Sequence, residues 1–206
     1  MNSFRKYLFS VLLCLLAVPV HAQTLLIVGD SISAAFGLEI EQGWVSLLEE
    51  RLKEQEAAVE VVNASVSGDT TAGGLARLPR LLEQHKPDLV VIELGGNDGL
   101  RGMPPANMQQ NLSAMVRLAL DSDARVLLAG IRIPPNYGVR YTEAFEQVFV
   151  AVSEEYEIPL VPFVLEGIAG EEDPSLMQSD GIHPTAVAQP MILDNLWPAI
   201  EAGLQL

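Results

Sequence analysis

One serine, one histidine and one aspartate have the residue types and the spacing of a nucleophilic site. Ser31 follows Gly29-Asp30 directly after a short apolar run, and His183 stands three residues after Asp180. A serine hydroxyl becomes a good nucleophile when a histidine takes its proton, and a carboxylate fixes the tautomer of that histidine. A spacing of three residues lets one short turn carry both Asp180 and His183. These residues therefore predict a catalytic triad, with Ser31 as nucleophile and His183 as base.

The first 22 residues have the pattern of a secretory signal peptide. A basic start is followed by a mostly apolar run from Leu8 to Val20, which falls short of the ~20 residues that a membrane-spanning helix needs. The small-residue signal at the end of this segment predicts cleavage near Ala22. We expect residues 1–22 to be removed, residues 23–206 to form a single domain, and the protein to reach the periplasm or the medium.

Removal of this leader changes which residues are available for chemistry. It takes away Arg5 and Lys6, so the full-chain net charge of −15 becomes −17, and it takes away Cys14 and His21. No cysteine then remains for thiol catalysis, a disulfide or zinc, and the two remaining histidines are too few for a three-histidine zinc site. The negative charge disfavours nucleic-acid partners and favours a monomer. His85 ends a charged helical pattern, so His183 is the better candidate base.

Two further clusters could supply hydrogen-bond donors to an oxyanion. Gly68 lies in Ser67-Gly68-Asp69, and Asn97 lies in Gly95-Gly96-Asn97-Asp98. We predict an oxyanion hole made of the Ser31 N–H, the Gly68 N–H and the Asn97 side-chain amide. Taken singly, each residue has a plainer interpretation, since serine is a common helix N-cap and glycine and asparagine are common turn residues. Their complementary roles favour the catalytic interpretation.

Apolar runs alternate with helical patterns along the whole expected mature chain. Strands are predicted over 25–28, 59–62, 89–94, 125–131 and 160–164, and helices over 44–56, 71–85, 108–120, 141–156 and from His183 to about residue 201. Pro79 predicts a kink or a late start in the second helix, and Pro162 weakens the fifth strand. This alternation predicts a parallel sheet in an α/β/α sandwich, where ligands bind beyond the carboxyl ends of the strands. The four polar clusters all follow strands, so we expect them at one edge.

The four clusters, taken in order, resemble the conserved blocks of the SGNH (GDSL-type) hydrolases. The matching segments are Gly29-Asp30-Ser31-Ile32, Ser67-Gly68-Asp69-Thr70, Gly95-Gly96-Asn97-Asp98 and Asp180-Gly181-Ile182-His183-Pro184. The resemblance implies a flavodoxin-like, five-stranded parallel sheet of order 2-1-3-4-5. It also implies Ser31 as nucleophile, His183 as base oriented by Asp180, and Ser31, Gly68 and Asn97 as oxyanion donors, with no metal and no cofactor.

Three longer segments resemble the branch of secreted bacterial thioesterases, lysophospholipases and arylesterases. They are residues 63–70, 74–79 and 134–138. The resemblance implies hydrolysis of small-molecule acyl esters and acyl thioesters, and a mobile loop over 134–140 in which Asn136 and Tyr137 bind substrate. The loop also reads as a plain connector. The alternatives for function are a carbohydrate acetylesterase or an acyltransferase on the same site, and a non-catalytic binding module.

Overall fold

A computed structural model of the protein describes residues 22–170 and 173–206. The expected signal peptide, with Cys14 and His21, lies outside the described residues, and so do Glu171 and Glu172. Over the part of the chain that is described, no helix is long and apolar enough to cross a membrane.

Five parallel strands form one sheet, as predicted. They are β1 (Gln23–Gly29), β2 (Val59–Asn63), β3 (Leu89–Glu93), β4 (Arg125–Ala129) and β5 (Leu160–Val161), in the order β2-β1-β3-β4-β5. The predicted order 2-1-3-4-5 is confirmed. The apolar residues of β1 and β3 are buried, because helices cover both faces of the sheet. The carboxyl ends of β1 and β3 are adjacent, with Gly29 in register with Glu93.

Within the described residues, six α-helices accompany this sheet. They are α1 (Trp44–Glu54), α2 (Thr71–His85), α3 (Gly96–Leu100), α4 (Pro105–Asp121), α5 (Val139–Tyr156) and α6 (Gln189–Leu204). The helices α1 and α6 pack together over one face, while α4 packs between α2 and α5 over the other. The three-layer α/β/α sandwich is therefore confirmed.

The helix α2 has the predicted bounds but not the predicted late start. It runs without a break from Thr71 to His85 across Pro79, which is exposed, so the carbonyl that lacks a partner there can be hydrated. The Thr70 side chain caps its first turn by accepting from the Gly73 N–H at 3.3 Å.

Other elements also differ from the sequence-based prediction, since β4 ends at Ala129 and not at residue 131, and α4 begins at Pro105 and not at residue 108. The strand β5 ends at Val161, because Pro162 has no N–H to continue the ladder. The last helix begins at Gln189 and not at His183, because Pro184 forms an isolated antiparallel bridge with Met177. The short helix α3 was not predicted, since its glycine-rich sequence is typical of a turn.

Candidate active site

Ser31 lies on the tight turn that follows β1. The turn is closed by a hydrogen bond from the Ala34 N–H to the Asp30 carbonyl at 3.0 Å, and the Asp30 side chain accepts from the Ile32 N–H at 3.1 Å. Gly29 has to be glycine, because a Cβ there would lie 2.7 Å from the Ser33 side chain. The Ser31 N–H itself donates to no acceptor among the described residues. The turn thus presents the hydroxyl and the free N–H of Ser31 together.

The structure brings Ser31, His183 and Asp180 into one hydrogen-bonded chain. The distance from His183 Nε2 to Ser31 Oγ is 3.0 Å, and the distance from His183 Nδ1 to Asp180 Oδ2 is 2.7 Å. The other carboxylate oxygen, Asp180 Oδ1, accepts from the N–H groups of Ile182 at 2.9 Å and His183 at 3.0 Å. The predicted short turn between Asp180 and His183 is therefore present, with Gly181 at a φ of 68°.

Asp180 is ionised over the whole physiological range. Partial burial raises its pKa, but hydrogen bonds from the His183 ring and from the backbone of His183 and Ile182 outweigh this effect and lower the pKa to about 2. An ionised carboxylate only accepts hydrogen bonds, so it holds a proton on His183 Nδ1 and leaves Nε2 free to accept from Ser31.

Gly68 occupies the turn between β2 and α2, where its N–H is free. The Asp69 N–H donates to the Val66 carbonyl at 3.0 Å, and Gly68 has a φ of 80°, which favours glycine. A Cβ at Gly68 would meet nothing within 4 Å, so the backbone conformation and not the space demands glycine. Its N–H has no acceptor among the described residues, and its carbonyl accepts from Arg101 Nη2 at 2.9 Å.

Two charged side chains, which sequence reasoning did not select, fix this turn. The Arg77 guanidinium pairs with Asp69 at 2.8 Å and also donates to the carbonyls of Ala64 and Gly29, so it fastens the Gly68 turn to the end of β1. On the other side, Asp98 of α3 accepts from the N–H and the hydroxyl of Thr71, at 2.9 and 2.6 Å. These contacts join the segments that carry Gly68 and Asn97.

Asn97 lies in α3, next to the Ser31 turn. Its side-chain nitrogen donates to Asp30 Oδ2 at 3.0 Å, which uses one of its two N–H bonds. Asp30 is buried, and this burial raises its pKa to about 6 against the opposing effects of the Ile32 N–H, His183 and Asn97. Sequence reasoning selected Asn97 but missed this contact, because Asp30 and Asn97 are far apart in the chain.

A second buried carboxyl, Glu93, lies beneath the nucleophile turn. Its Oε2 accepts from Ser33 Oγ at 2.7 Å and from the Asp30 N–H at 3.4 Å, whereas Oε1 has no partner among the described residues. Full burial, together with the nearby charge of Asp30, raises the pKa of Glu93 well above its ordinary value. The only sequence signal for Glu93 was a single acid at the end of an apolar strand.

A cavity of about 390 Å³ opens beside Ser31, Asn97 and His183. Its far wall is mostly apolar and is made of Leu100, Ile131, Ile133, Phe163, Leu165 and Met177. Gly68 and Asp180 are not among the residues that line it. The arrangement offers a serine hydroxyl with a hydrogen-bonded imidazole at the edge of an apolar cavity.

The two residues predicted to bind substrate, Asn136 and Tyr137, do not lie on the cavity wall. Pro134 and Pro135 of the same segment do. A 3-10 helix over Pro135–Tyr137 leaves Asn136 exposed and turns Tyr137 towards α3, where its hydroxyl donates to the Leu100 carbonyl at 2.7 Å. Tyr137 thus supports a wall residue and does not itself face the cavity.

A comparison with known families agrees with the fold. A sequence model of the GDSL-like Lipase/Acylhydrolase family matches residues 27–189, and the chain belongs to this family. Among its relatives is the esterase TesA of Pseudomonas aeruginosa, which is 59% identical over 189 residues, covering 92% of this chain and 93% of TesA. A solved structure of TesA superposes with a TM-score of 0.85 and covers 88% of this chain and 99% of that one.

The name of a second relative includes several hydrolase activities. It is the thioesterase 1/protease 1/lysophospholipase L1 of Escherichia coli (strain K12), which is 46% identical over 196 residues, covering 94% of this chain and 91% of the relative. The resemblance to SGNH hydrolases that the sequence motifs indicate is therefore confirmed.

Proposed function

We propose that this protein is a serine esterase and thioesterase that cleaves small-molecule acyl esters and acyl thioesters, in the manner of a lysophospholipase or an arylesterase, through an acyl-enzyme on Ser31. The observation that carries the proposal is the chain from Ser31 Oγ through His183 to Asp180, with distances of 3.0 and 2.7 Å, at the edge of an apolar cavity. The names of the two relatives, an esterase and a thioesterase/lysophospholipase, support the same substrate class.

In the first half-reaction, Ser31 Oγ bonds to the acyl carbon while its proton passes to His183 Nε2. The carbonyl oxygen becomes an oxyanion, which accepts from the N–H groups of Ser31 and Gly68 and from the second N–H of Asn97. The oxyanion then re-forms the carbonyl, the bond to the leaving oxygen or sulfur breaks, and His183 returns the proton to that atom. Asp180 stabilises the imidazolium throughout.

In the second half-reaction, water takes the place of the leaving group. His183 removes a proton from the water, whose oxygen attacks the acyl carbon through a second oxyanion held by the same donors. Collapse breaks the bond to Ser31 Oγ, which recovers its proton from His183, and the carboxylic acid leaves. The apolar wall contributed by Ile131, Ile133 and Phe163 suits a hydrocarbon acyl group, which gains from burial.

Replacement of the proposed nucleophile tests this mechanism. Ser31→Ala is expected to abolish turnover of a p-nitrophenyl acyl ester and labelling by a fluorophosphonate probe. The matched control is Ser113→Ala, which removes a hydroxyl on α4 that donates only to Glu155. Wild-type turnover by Ser31→Ala would contradict the proposal.

Two further assays separate the proposed function from its alternatives. Rates on esters and thioesters of increasing acyl length would distinguish the proposed enzyme from an acetylesterase. Product analysis with an added acceptor alcohol would distinguish it from an acyltransferase.

The proposal also includes the processing, the location and the oligomeric state of the enzyme. We infer that residues 1–22 direct export and are removed, so that the working enzyme is a single domain over residues 23–206 in the periplasm or the medium, and that its negative charge keeps it monomeric. Mass spectrometry of the exported protein is expected to give an amino terminus at or near Gln23, and light scattering the mass of one chain. An uncleaved amino terminus would contradict the export step.

A further inference from the structure

The proposed base and the proposed nucleophile lie on two segments that are far apart in the sequence. Ser31 and His183 are 152 residues apart in the chain, yet His183 Nε2 lies 3.0 Å from Ser31 Oγ. His183 belongs to the segment between β5 and α6, where the only strand-like contact in the described part is the bridge of Met177 with Pro184. A contact between this segment and the nucleophile turn is needed to keep the two side chains aligned.

Gln178 makes that contact. Its side-chain Nε2 donates to the Phe36 carbonyl at 2.9 Å and to the Pro184 carbonyl at 3.1 Å. Its backbone N–H donates to the His183 carbonyl at 2.7 Å, and its own carbonyl accepts from the Gly181 N–H at 2.9 Å. Gln178 thus bonds to the residues around His183, and its side chain also bonds to Phe36 in the segment over residues 31–37, which we call the nucleophile segment.

Phe36 completes the connection on the nucleophile side. Its N–H donates to the Ser31 carbonyl at 3.0 Å, and its ring lies against the His183 ring with the centroids 4.4 Å apart. A closed path therefore runs from Ser31 to Phe36, to Gln178, to His183 and back to Ser31 Oγ. A shift of Gln178 is therefore expected to move the imidazole relative to the hydroxyl.

The Gln178 side chain packs closely against the backbone of Gly37, where a residue with a Cβ would leave it no room. Gly37 has a φ of 76°, and a Cβ at this position would lie 2.5 Å from Gln178 Oε1. The close approach is independent of the hydrogen bonds of Nε2. It shows that the nucleophile segment and the Gln178 amide fit closely against each other.

We propose that Gln178 is a positioning residue that holds His183 in line with Ser31. This assignment rests on the proposed function of Ser31 and His183, because Gln178 touches no reacting atom and acts only through them. Its amide is suited to the task because its two N–H bonds meet two carbonyl oxygens from opposite sides of the site.

Two substitutions of Gln178 test the proposal. Gln178→Met keeps the length and removes both donors, and we expect kcat to fall roughly ten- to a hundredfold with KM changed little, as misalignment of reacting groups predicts. The fluorophosphonate labelling rate is expected to fall with kcat. Gln178→Glu places a carboxylate against two carbonyl oxygens, and Gln147→Glu on the exposed side of α5 is the control for charge.

The pH dependence of Gln178→Glu separates positioning from a loss of stability alone. A protonated carboxyl regains one donor, so the ratio of its kcat to that of the wild type is expected to rise from pH 8 to pH 5. A carboxylate at position 178 favours the protonated imidazole and so lowers this ratio at low pH, which means that a rise comes from the regained donor. A ratio that stays constant, or a Gln178→Met enzyme with wild-type kcat and labelling rate, would overturn the proposal.

Gly37→Ala gives a second route that leaves Gln178 in place. Its Cβ would displace the Gln178 amide, and we expect the same loss of kcat. Gly167→Ala is the matched control, since its φ of 71° imposes similar strain but its Cβ would meet nothing closer than 3.8 Å. Equal kcat in the two variants would count against the proposal. If instead the wild type is inactive or Ser31→Ala keeps full activity, the proposed function fails before Gln178 is tested.

Discussion

Asn97 and Asp30 are joined by one hydrogen bond, from the Asn97 side-chain nitrogen to Asp30 Oδ2 at 3.0 Å. Asp30 immediately precedes the proposed nucleophile, so this bond ties the side-chain donor of the proposed oxyanion hole to the nucleophile turn. It also orients the amide, because one N–H bond is directed to Asp30 and the other is left for substrate. The buried carboxylate thus decides where the uncharged donor points.

Removing the Asn97 amide is expected to reduce turnover more than substrate binding. Asn97→Ala removes a donor whose partner acquires charge only in the transition state, and such a loss costs roughly 2.7–4 kcal/mol, or 10²–10³ in kcat. Steady-state kinetics on a p-nitrophenyl ester would measure it. A rise in KM with unchanged kcat would assign Asn97 to substrate positioning instead.

Asp30→Asn is expected to lower kcat while leaving Asn97 in place. The two carboxylate oxygens of Asp30 accept from the Ile32 N–H and from Asn97, but an amide has only one oxygen, so one donor would face another donor. An unmet buried donor costs the folded protein about 1–3 kcal/mol of stability, and kcat falls because the Asn97 amide loses the contact that orients it. If Asp30→Asn and Asn97→Ala act through the same contact, the double variant loses less than the product of the two single losses. Multiplicative losses would show that the contact does not matter.

Activity is expected to fall as the pH drops from 8 to 5. Protonation of His183 removes the lone pair that accepts the Ser31 proton. Asp180 does not contribute over this range, because its hydrogen bonds with His183 and Ile182 hold its pKa at about 2, against the effect of burial, and it stays ionised. A flat profile of kcat/KM against pH would contradict the role of His183.

Asp30 titrates within the same range, since burial raises its pKa to about 6. Asp30→Asn removes this ionisation and serves as the control. The acidic limb that remains in Asp30→Asn is expected to belong to His183. Loss of the whole limb in this variant would assign the pH dependence to Asp30.

Glu93 predicts an unusual dependence of stability on pH. Burial raises its pKa well above 4.5, so the folded protein keeps a proton that the unfolded chain releases, and the free energy of unfolding falls as the pH rises above 4.5. Glu93→Gln cannot lose a proton. Its stability relative to the wild type is expected to grow between pH 4 and pH 7, by about 1.4 kcal/mol for each unit by which the pKa is raised.

Urea denaturation at several pH values would measure this difference. The control is Glu83→Gln on the exposed side of α2, which makes the same substitution without burial. Parallel stability curves for Glu93→Gln and the wild type would show that Glu93 is ionised in the folded protein.

Tyr137→Phe tests whether the tyrosine supports the cavity or contacts substrate. The substitution removes only the hydroxyl that donates to the Leu100 carbonyl. A lost hydrogen bond of about 1 kcal/mol lowers the Tm by roughly 2–4 °C in a domain of this size. The relative rates on short and long acyl esters are expected to stay the same. A change in acyl-length preference with an unchanged Tm would restore Tyr137 as a substrate contact.

The parts of the fold that were predictable depend on local pattern. Buried runs such as 25–28 and 89–94 alternate with amphipathic stretches, and this repetition sets the layers of the sandwich. The start of α6 was predicted wrongly because two local sequence signals compete there. Pro184 and Pro190 each suit the start of a helix, and α6 begins beside Pro190, because Pro184 is engaged with Met177.

The site was predictable as a set of polar clusters at one edge of the sheet, with Ser31, Asp180 and His183 in assigned roles, but without the contacts that organise these clusters. The contacts that organise these clusters join residues far apart in sequence, such as Asp30 with Asn97 and Gln178 with Phe36. No spacing rule relates such partners, because the sheet and its loops decide which side chains meet. Glu93 was missed for a similar reason, since its environment exists only once the sheet has formed.

Part of the apolar wall and the nucleophile have different origins in the chain, although the base His183 follows β5 as Phe163 does. Ile131, Ile133 and Phe163 follow β4 and β5, whereas Ser31 and Gly68 follow β1 and β2 on the other side of the sheet. Replacements in one half can therefore reshape the space for an acyl group while the nucleophile and the Gly68 donor keep their supports. The preference for one acyl group over another can then diverge between homologues, or be redesigned in the laboratory, without changes to the nucleophile or to the residues that support it.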